Sequence, residues 1–187
     1  IVLFALSRLL RSEINQAYVH WLKIRNHFPS TDQSFFMSSL AYRAALKQDD
    51  RALDWFIQAV DKHPYPLSEV KHAWMARVAL RKGNWNHVLQ IINNMPDSMQ
   101  KMDVWRYWKA RVMLKNGELG EANAILAPLS NEHSYYGQLA KEELGVMMST
   151  PAANYHPSPQ EVHAMQQNSG IQRALALYQF NQRIEAT

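Results

Sequence analysis

Glu142 and Glu143 form an adjacent carboxylate pair that invites a catalytic reading. Neighbours on a helix point about 100° apart, so the two cannot face each other across one scissile bond as acid and nucleophile. Both are therefore expected on solvated surface. The chain has eight histidines, but no His-Glu-x-x-His motif, and His156 and His163 are separated by a proline-rich break, so no metal site is expected. With no cysteine, thiolate zinc sites, thiol nucleophiles and disulfide frameworks are excluded. Neither a glycine-rich phosphate loop nor a Gly-x-Ser-x-Gly elbow occurs. No catalytic, cofactor-binding or metal-binding residue can be named from these patterns.

What remains is aromatic and cationic. The stretch "DVWRYWKARV" places Trp105, Tyr107 and Trp108 within four residues, and Arg43, Arg77 and Arg111 recur at a constant step of 34 residues. Such a cluster could serve as a ligand platform, and such arginines could line a concave binding face. The competing reading is core: Trp105, Trp108 and Val112 share one helical face while Tyr107, Arg111 and Leu114 share another. A helix apolar on two sides suits the inside of a stacked array. On that reading Trp108 is a core residue whose truncation leaves a cavity, and the arginines pair with the next hairpin.

The elements that must position these residues are nearly all helices. Apolar residues recur at three and four positions almost throughout, which predicts helices over 3–11, 14–27, 32–47, 50–62, 67–82, 85–94, 101–116, 118–128, 132–144, 158–168 and 170–180. The helices pair and the pairs repeat. "WMARVALRKG" and "WKARVMLKNG" align at a shift of 34 residues, with Ile91 and Ile125 in register in the following helix. One step earlier, Arg43, Leu46 and Ile57 occupy the places of Arg77, Leu80 and Ile91, and a weaker copy begins at Arg8. This is the period of tetratricopeptide-like hairpins, each of which buries its apolar face against the next. Gly83 and Gly117 fall where the first helix of a hairpin must stop, a position that often needs positive φ. Ala76 and Ala110 are small where two helices would approach. The expectation is an all-α fold, an α-solenoid or superhelix of such hairpins over 1–145, a crossing loop over 146–158, and the start of a further hairpin over 159–187.

Composition adds limits. Twenty Lys and Arg against 16 Asp and Glu give a net charge of +4 without a block of like charges, a mild bias toward acidic partners. No basic stripe or motif points to nucleic acid. No apolar run reaches the length of a membrane span. The apolar start "IVLFALSRLLRSE" has no basic leader and no small-residue cleavage site, so it is expected to be domain interior in a piece of a longer protein.

Residues 102–145, "MDVWRYWKARVMLKNGELGEANAILAPLSNEHSYYGQLAKEELG", closely resemble the last part of the superhelical region of the soluble lytic murein transglycosylase family. The resemblance rests on Trp105, Arg106, Tyr107, Trp108, Ala110, Arg111, Gly117, Glu121, Ala122, Tyr135, Tyr136, Gly137, Leu144 and Gly145. It implies a periplasmic parent enzyme that cleaves the β-1,4 bond between N-acetylmuramic acid and N-acetylglucosamine, forming a 1,6-anhydro product without water. The family's catalytic domain, similar to goose-type lysozyme, carries a Glu followed by Ser, then a Gly-Leu-Met-Gln stretch and an Asn-Ala-Gly-type motif. None of these occurs here; Ser12-Glu13 and Ser68-Glu69 have the reverse order. The resemblance therefore implies a non-catalytic fragment that scaffolds its own catalytic domain and guides peptidoglycan glycan strands. A tetratricopeptide-like adaptor for protein partners is the alternative that repeat periodicity alone fits equally well.

Overall fold

The computed structural model describes residues 1–61, 66–146 and 155–183. Among them lie α1 (Val2–Leu9), α2 (Ile14–Ile24), α3 (Ser30–Leu46), α4 (Ala52–Asp61), α5 (Glu69–Arg81), α6 (Trp85–Asn93), α7 (Asp97–Gln100), α8 (Asp103–Asn116), α9 (Leu119–Ser130), α10 (Tyr135–Glu143), α11 (Pro159–Gln166) and α12 (Ser169–Gln179), with a 3-10 turn at Arg25–His27 and no strand. The chain divides into two units, Ile1–Met148 and Ser149–Thr187. None of the helices among the described residues is long and apolar enough to cross a membrane.

In the first unit the hairpins are α1–α2, α3–α4, α5–α6 and α8–α9. Successive hairpins pack through α1 on α3, α3 on α5, α6 on α8, and α8 and α9 on α10. The all-α, stacked-hairpin reading of the sequence holds. Its buried residues form one continuous cluster from Leu6 through Trp21, Phe36, Phe56, Val78 and Ile92 to Trp105 and Val112. A second cluster gathers Tyr107, Ala110, Ala122, Leu126, Leu129 and Ala140. Helix α8 thus feeds both, with its two apolar faces turned to different neighbours. Ala76 and Ala110 are both fully buried.

Helices α5, α8 and α10 end in the same way. Gly83, Gly117 and Gly145 take φ of 65°, 84° and 68°, and the next amide reaches back five residues: Asn84 N to Ala79 O at 3.0 Å, Glu118 N to Met113 O at 2.9 Å, Val146 N to Lys141 O at 2.9 Å. This closure satisfies carbonyls that a helix end leaves orphaned. At the end of α3 the same closure, Asp49 N to Ala44 O at 2.9 Å, is made with Gln48 at φ 58°. A side chain stands there where those three turns have glycine, and the turn falls in the break expected between the helices over 32–47 and 50–62.

Several boundaries differ from expectation. The run expected as one helix over 14–27 is α2 followed by a tighter turn. A four-residue helix, α7, follows Pro96, where no helix was expected between 94 and 101. Helix α10 starts at Tyr135 rather than 132, because Ser134 caps it by accepting from the Gly137 amide at 3.1 Å. Most of the expected crossing, 147–154, lies outside the described residues, as do 62–65 and 184–187. In the second unit α11 packs on α12. Neither helix contains a buried residue.

Candidate functional site

The aromatic residues of α8 join helices on both sides. Trp105 is enclosed, 2% exposed, with the Arg77 guanidinium 5.8 Å from its ring. Trp108 is only half-buried, so the deep core position expected for it belongs to Trp105. Its ring lies 6.5 Å from Trp85 of α6 and 5.5 Å from Tyr107. Tyr107 is buried and 5.5 Å from Tyr136 of α10, which meets Tyr135 at 5.2 Å. Aromatic contacts therefore run from α6 through α8 to α10, in tilted and edge-on geometries that favour ring packing. With Trp105 and Tyr107 enclosed, Trp108 is the one aromatic ring of α8 that keeps part of its surface open.

A polar knot closes the α8–α10 contact. The Tyr107 hydroxyl donates to Glu143 Oε1 at 3.1 Å, and Arg111 pairs with the same carboxylate. Burial pushes the Tyr107 hydroxyl up; the Arg111 charge pulls it down less, and the Glu143 charge adds to the rise. Tyr107 is thus held protonated as a donor. Glu142 is exposed, but Glu143 is a half-buried partner of α8, which corrects the solvated-surface expectation for that residue. Because the Arg111 side chain is 39% exposed, solvent screens the pair and its chief effect is to fix register. Nearby, Arg106 reaches Glu132 at 2.5 Å.

The three repeat arginines have different partners. The Arg43 guanidinium lies 5.9 Å from the Tyr42 ring, and Arg77 lies 5.5 Å from Trp74. Neither has a carboxylate within ion-pair distance among the described residues. Arg77 reaches forward to the Trp105 ring of α8, and Arg111 to the Glu143 carboxylate of α10. Gly117 and Gly145 serve the helix ends already described. At Gly137 the reason is different: a Cβ would collide with the Glu132 carbonyl oxygen and stand 3.0 Å from that of Leu129. Tyr136 can lie on Tyr107 because the backbone beside it comes this close to the end of α9.

Sequence motifs gave no sign of a cleft of about 720 Å³ between α4, α5 and α6. Its walls include Ile57, Leu67, Met75 and Ile91, together with the half-buried His72 and His87. The Nδ1 atoms of both imidazoles are buried without a hydrogen-bond partner among the described residues. Burial pushes the His72 pKa down, against a smaller opposing effect of the Ser68 and Leu67 backbone. The only signal that could have marked the cleft is the placement of two histidines on otherwise apolar faces of consecutive helices. No cluster of three metal-ligating side chains is found among the described residues.

No family model matches the chain. Over 69 residues it is 30% identical to the soluble lytic murein transglycosylase of Escherichia coli strain K12, covering 37% of this chain and 11% of that protein. Over 69 residues it is also 32% identical to the enzyme of the same name from Salmonella typhimurium strain LT2. The aligned stretch thus spans about a tenth of each relative. A solved structure of an inactive mutant of the lytic transglycosylase Slt from Pseudomonas aeruginosa matches with a TM-score of 0.73 and 23% identity, over 99% of this chain and 30% of that one. At that identity the likeness is one of fold.

Proposed function

We propose, from the likeness of the chain to soluble lytic murein transglycosylases over 69 residues, that it is a non-catalytic, superhelical segment of a periplasmic peptidoglycan lytic transglycosylase. It scaffolds the catalytic domain and guides glycan strands toward it. The observation that carries this reading is the 69-residue likeness to enzymes of that name. The helical layout, close to Slt over nearly all of the chain, agrees with it. The parent enzyme would cleave murein strands to 1,6-anhydro products, with its acid/base glutamate outside this segment. The net charge of +4 suits a polymer that bears lactyl and peptide carboxylates.

The test is co-sedimentation of the 187-residue chain with murein sacculi at low and moderate salt, with the supernatant analysed by mass spectrometry. Binding without release of anhydro-muropeptides is the expected result. Release would overturn the non-catalytic assignment. Failure to bind would remove glycan guidance and favour a tetratricopeptide-like adaptor that docks a protein partner.

A further inference from the structure

The turns that end α5 and α8 lie side by side and enclose an open cleft of about 520 Å³. Lys82, Asn84, Trp85 and Asn86 enter it from the α5–α6 turn, and Lys115 and Asn116 from the end of α8. No acidic side chain lines it. Lys82 and Lys115 make no ion pair among the described residues; the nearest influences are Asp49, which feels the Lys82 charge, and Glu118, which accepts from Asn116 Nδ2 at 3.3 Å. The Lys115 ammonium rests 5.0 Å from the Trp85 ring centre. That contact holds a long, flexible side chain near one place before any ligand arrives, which lowers the entropy lost on binding. Asn84 Oδ1 accepts from the His87 amide at 3.4 Å as the cap of α6, leaving its amide NH2 as a free donor. Gly83, in its left-handed turn, has nothing within 4 Å of where a Cβ would stand, so the floor stays open.

A cation at a helix C-terminus is ordinary, since it complements the dipole. That accounts for Lys115 and Lys82 singly, and for the step of 34 residues that relates Lys47, Arg81 and Lys115. It does not account for three carboxamides gathered with two ammonium groups in a cleft whose lining holds no carboxylate, with Glu118 at its edge engaging only Asn116. Ammonium groups take a carboxylate, and carboxamides exchange paired hydrogen bonds with hydroxyl and acetamido groups. The geometry points to this cleft as a subsite for an acidic, amide-bearing glycan, with the ligand carboxylate between Lys82 and Lys115 and its hydroxyl and acetamido groups on the asparagines. The inference rests on the glycan-guiding reading above and names where such guidance occurs.

The experiment is calorimetric titration of the chain with two probes. One is soluble murein strands from which an amidase has removed the peptides, leaving free lactyl carboxylates; the other is neutral chitotetraose. The variants are Lys82→Gln/Lys115→Gln and, as a control that removes the same charge elsewhere, Lys23→Gln/Lys101→Gln. The expected result is a Kd for the strands raised about tenfold in the first variant and less than about twofold in the control, with chitotetraose at least about tenfold weaker throughout. Equal weakening in both variants, or none, would overturn the subsite while leaving glycan guidance standing, provided the unaltered chain binds the strands. If the unaltered chain binds no strands, both fall. Heparin binding as tightly as murein, with the same loss in the first variant, would overturn the glycan assignment in favour of a general polyanion patch.

Discussion

The α8–α9 and α11–α12 hairpins show how differently similar helical patterns can be used. Both carry apolar residues at helical spacing: Trp105 and Val112 on one face of α8, and Ile171, Leu175 and Tyr178 along α12. In α8 the face is enclosed and a second face is enclosed as well. In α12, Leu175 and Tyr178 are 57% and 58% exposed. The caps run the other way. Helix α8 starts at Met102 with no capping side chain. Helix α11 has a full capping box between Ser158 and Glu161 with proline in its first turn, and Asn168 caps α12 through two amides. Packing holds the first hairpin, while the second relies on bonds within its own ends.

The sharpest way to break this contrast is to truncate an apolar side chain in each. Trp105→Ala should lower the unfolding free energy by about 3–5 kcal/mol through cavity formation, whereas Leu175→Ala should change it by less than about 0.5 kcal/mol. Denaturant melts of the two variants decide it; equal effects would mean that α12 is also held by packing. Gly137→Ala comes next, at roughly 1–3 kcal/mol, because its Cβ would meet backbone carbonyls that cannot swing aside. The same melts would read it.

A gain rather than a loss is expected at the turn after α3. Gln48→Gly should stabilise the first unit by about 0.5–1 kcal/mol, since glycine adopts that positive φ without a side-chain penalty. A lower melting temperature would show that the Gln48 side chain contributes contacts outweighing its strain.

Acid should also separate the two regions, by smaller amounts. His72 is half-buried, and that burial holds its pKa below the usual histidine range, so the unfolded chain binds a proton that the folded one resists. Its contribution is complete above about pH 6.5 and declines as pH falls below that value. Glu161 is instead held below the usual carboxylate range, first by the Ser158 backbone amide, then by the Ser158 and Tyr155 hydroxyls. Its support of α11 is present above about pH 4.3 and lost as pH falls through the lowered value. Amide exchange followed by NMR from pH 7 to 3 should show α5 loosening before α11, and His72→Gln should delay only the former. Simultaneous loosening would contradict these assignments.

How much of this the sequence disclosed follows from how far each feature is local. The 34-residue step, the glycine turns and the two-faced α8 are written in neighbouring residues. Helix α3 is less legible as amphipathic because it is buried around much of its circumference, with Ser34, Ser38 and Ala41 enclosed beside Phe36 and Leu40. The break at Gln48 was legible between two helices, but its left-handed backbone was not, since no glycine marks it. Glu143 could not be told from Glu142 by sequence, since what separates them is a partner 32 residues earlier. The His72 and His87 cleft and the lysine–asparagine cleft are each assembled from successive helices or turns, so neither leaves a continuous motif.

Each main packing contact in the first unit joins helices no more than two apart in chain order. A chain wired in this way never has to wait for its far end before an early hairpin finds its partners. Assembly can proceed vectorially, each new hairpin docking on the last as it emerges from a ribosome or a translocation pore, with little unpartnered core exposed to competing association at any moment.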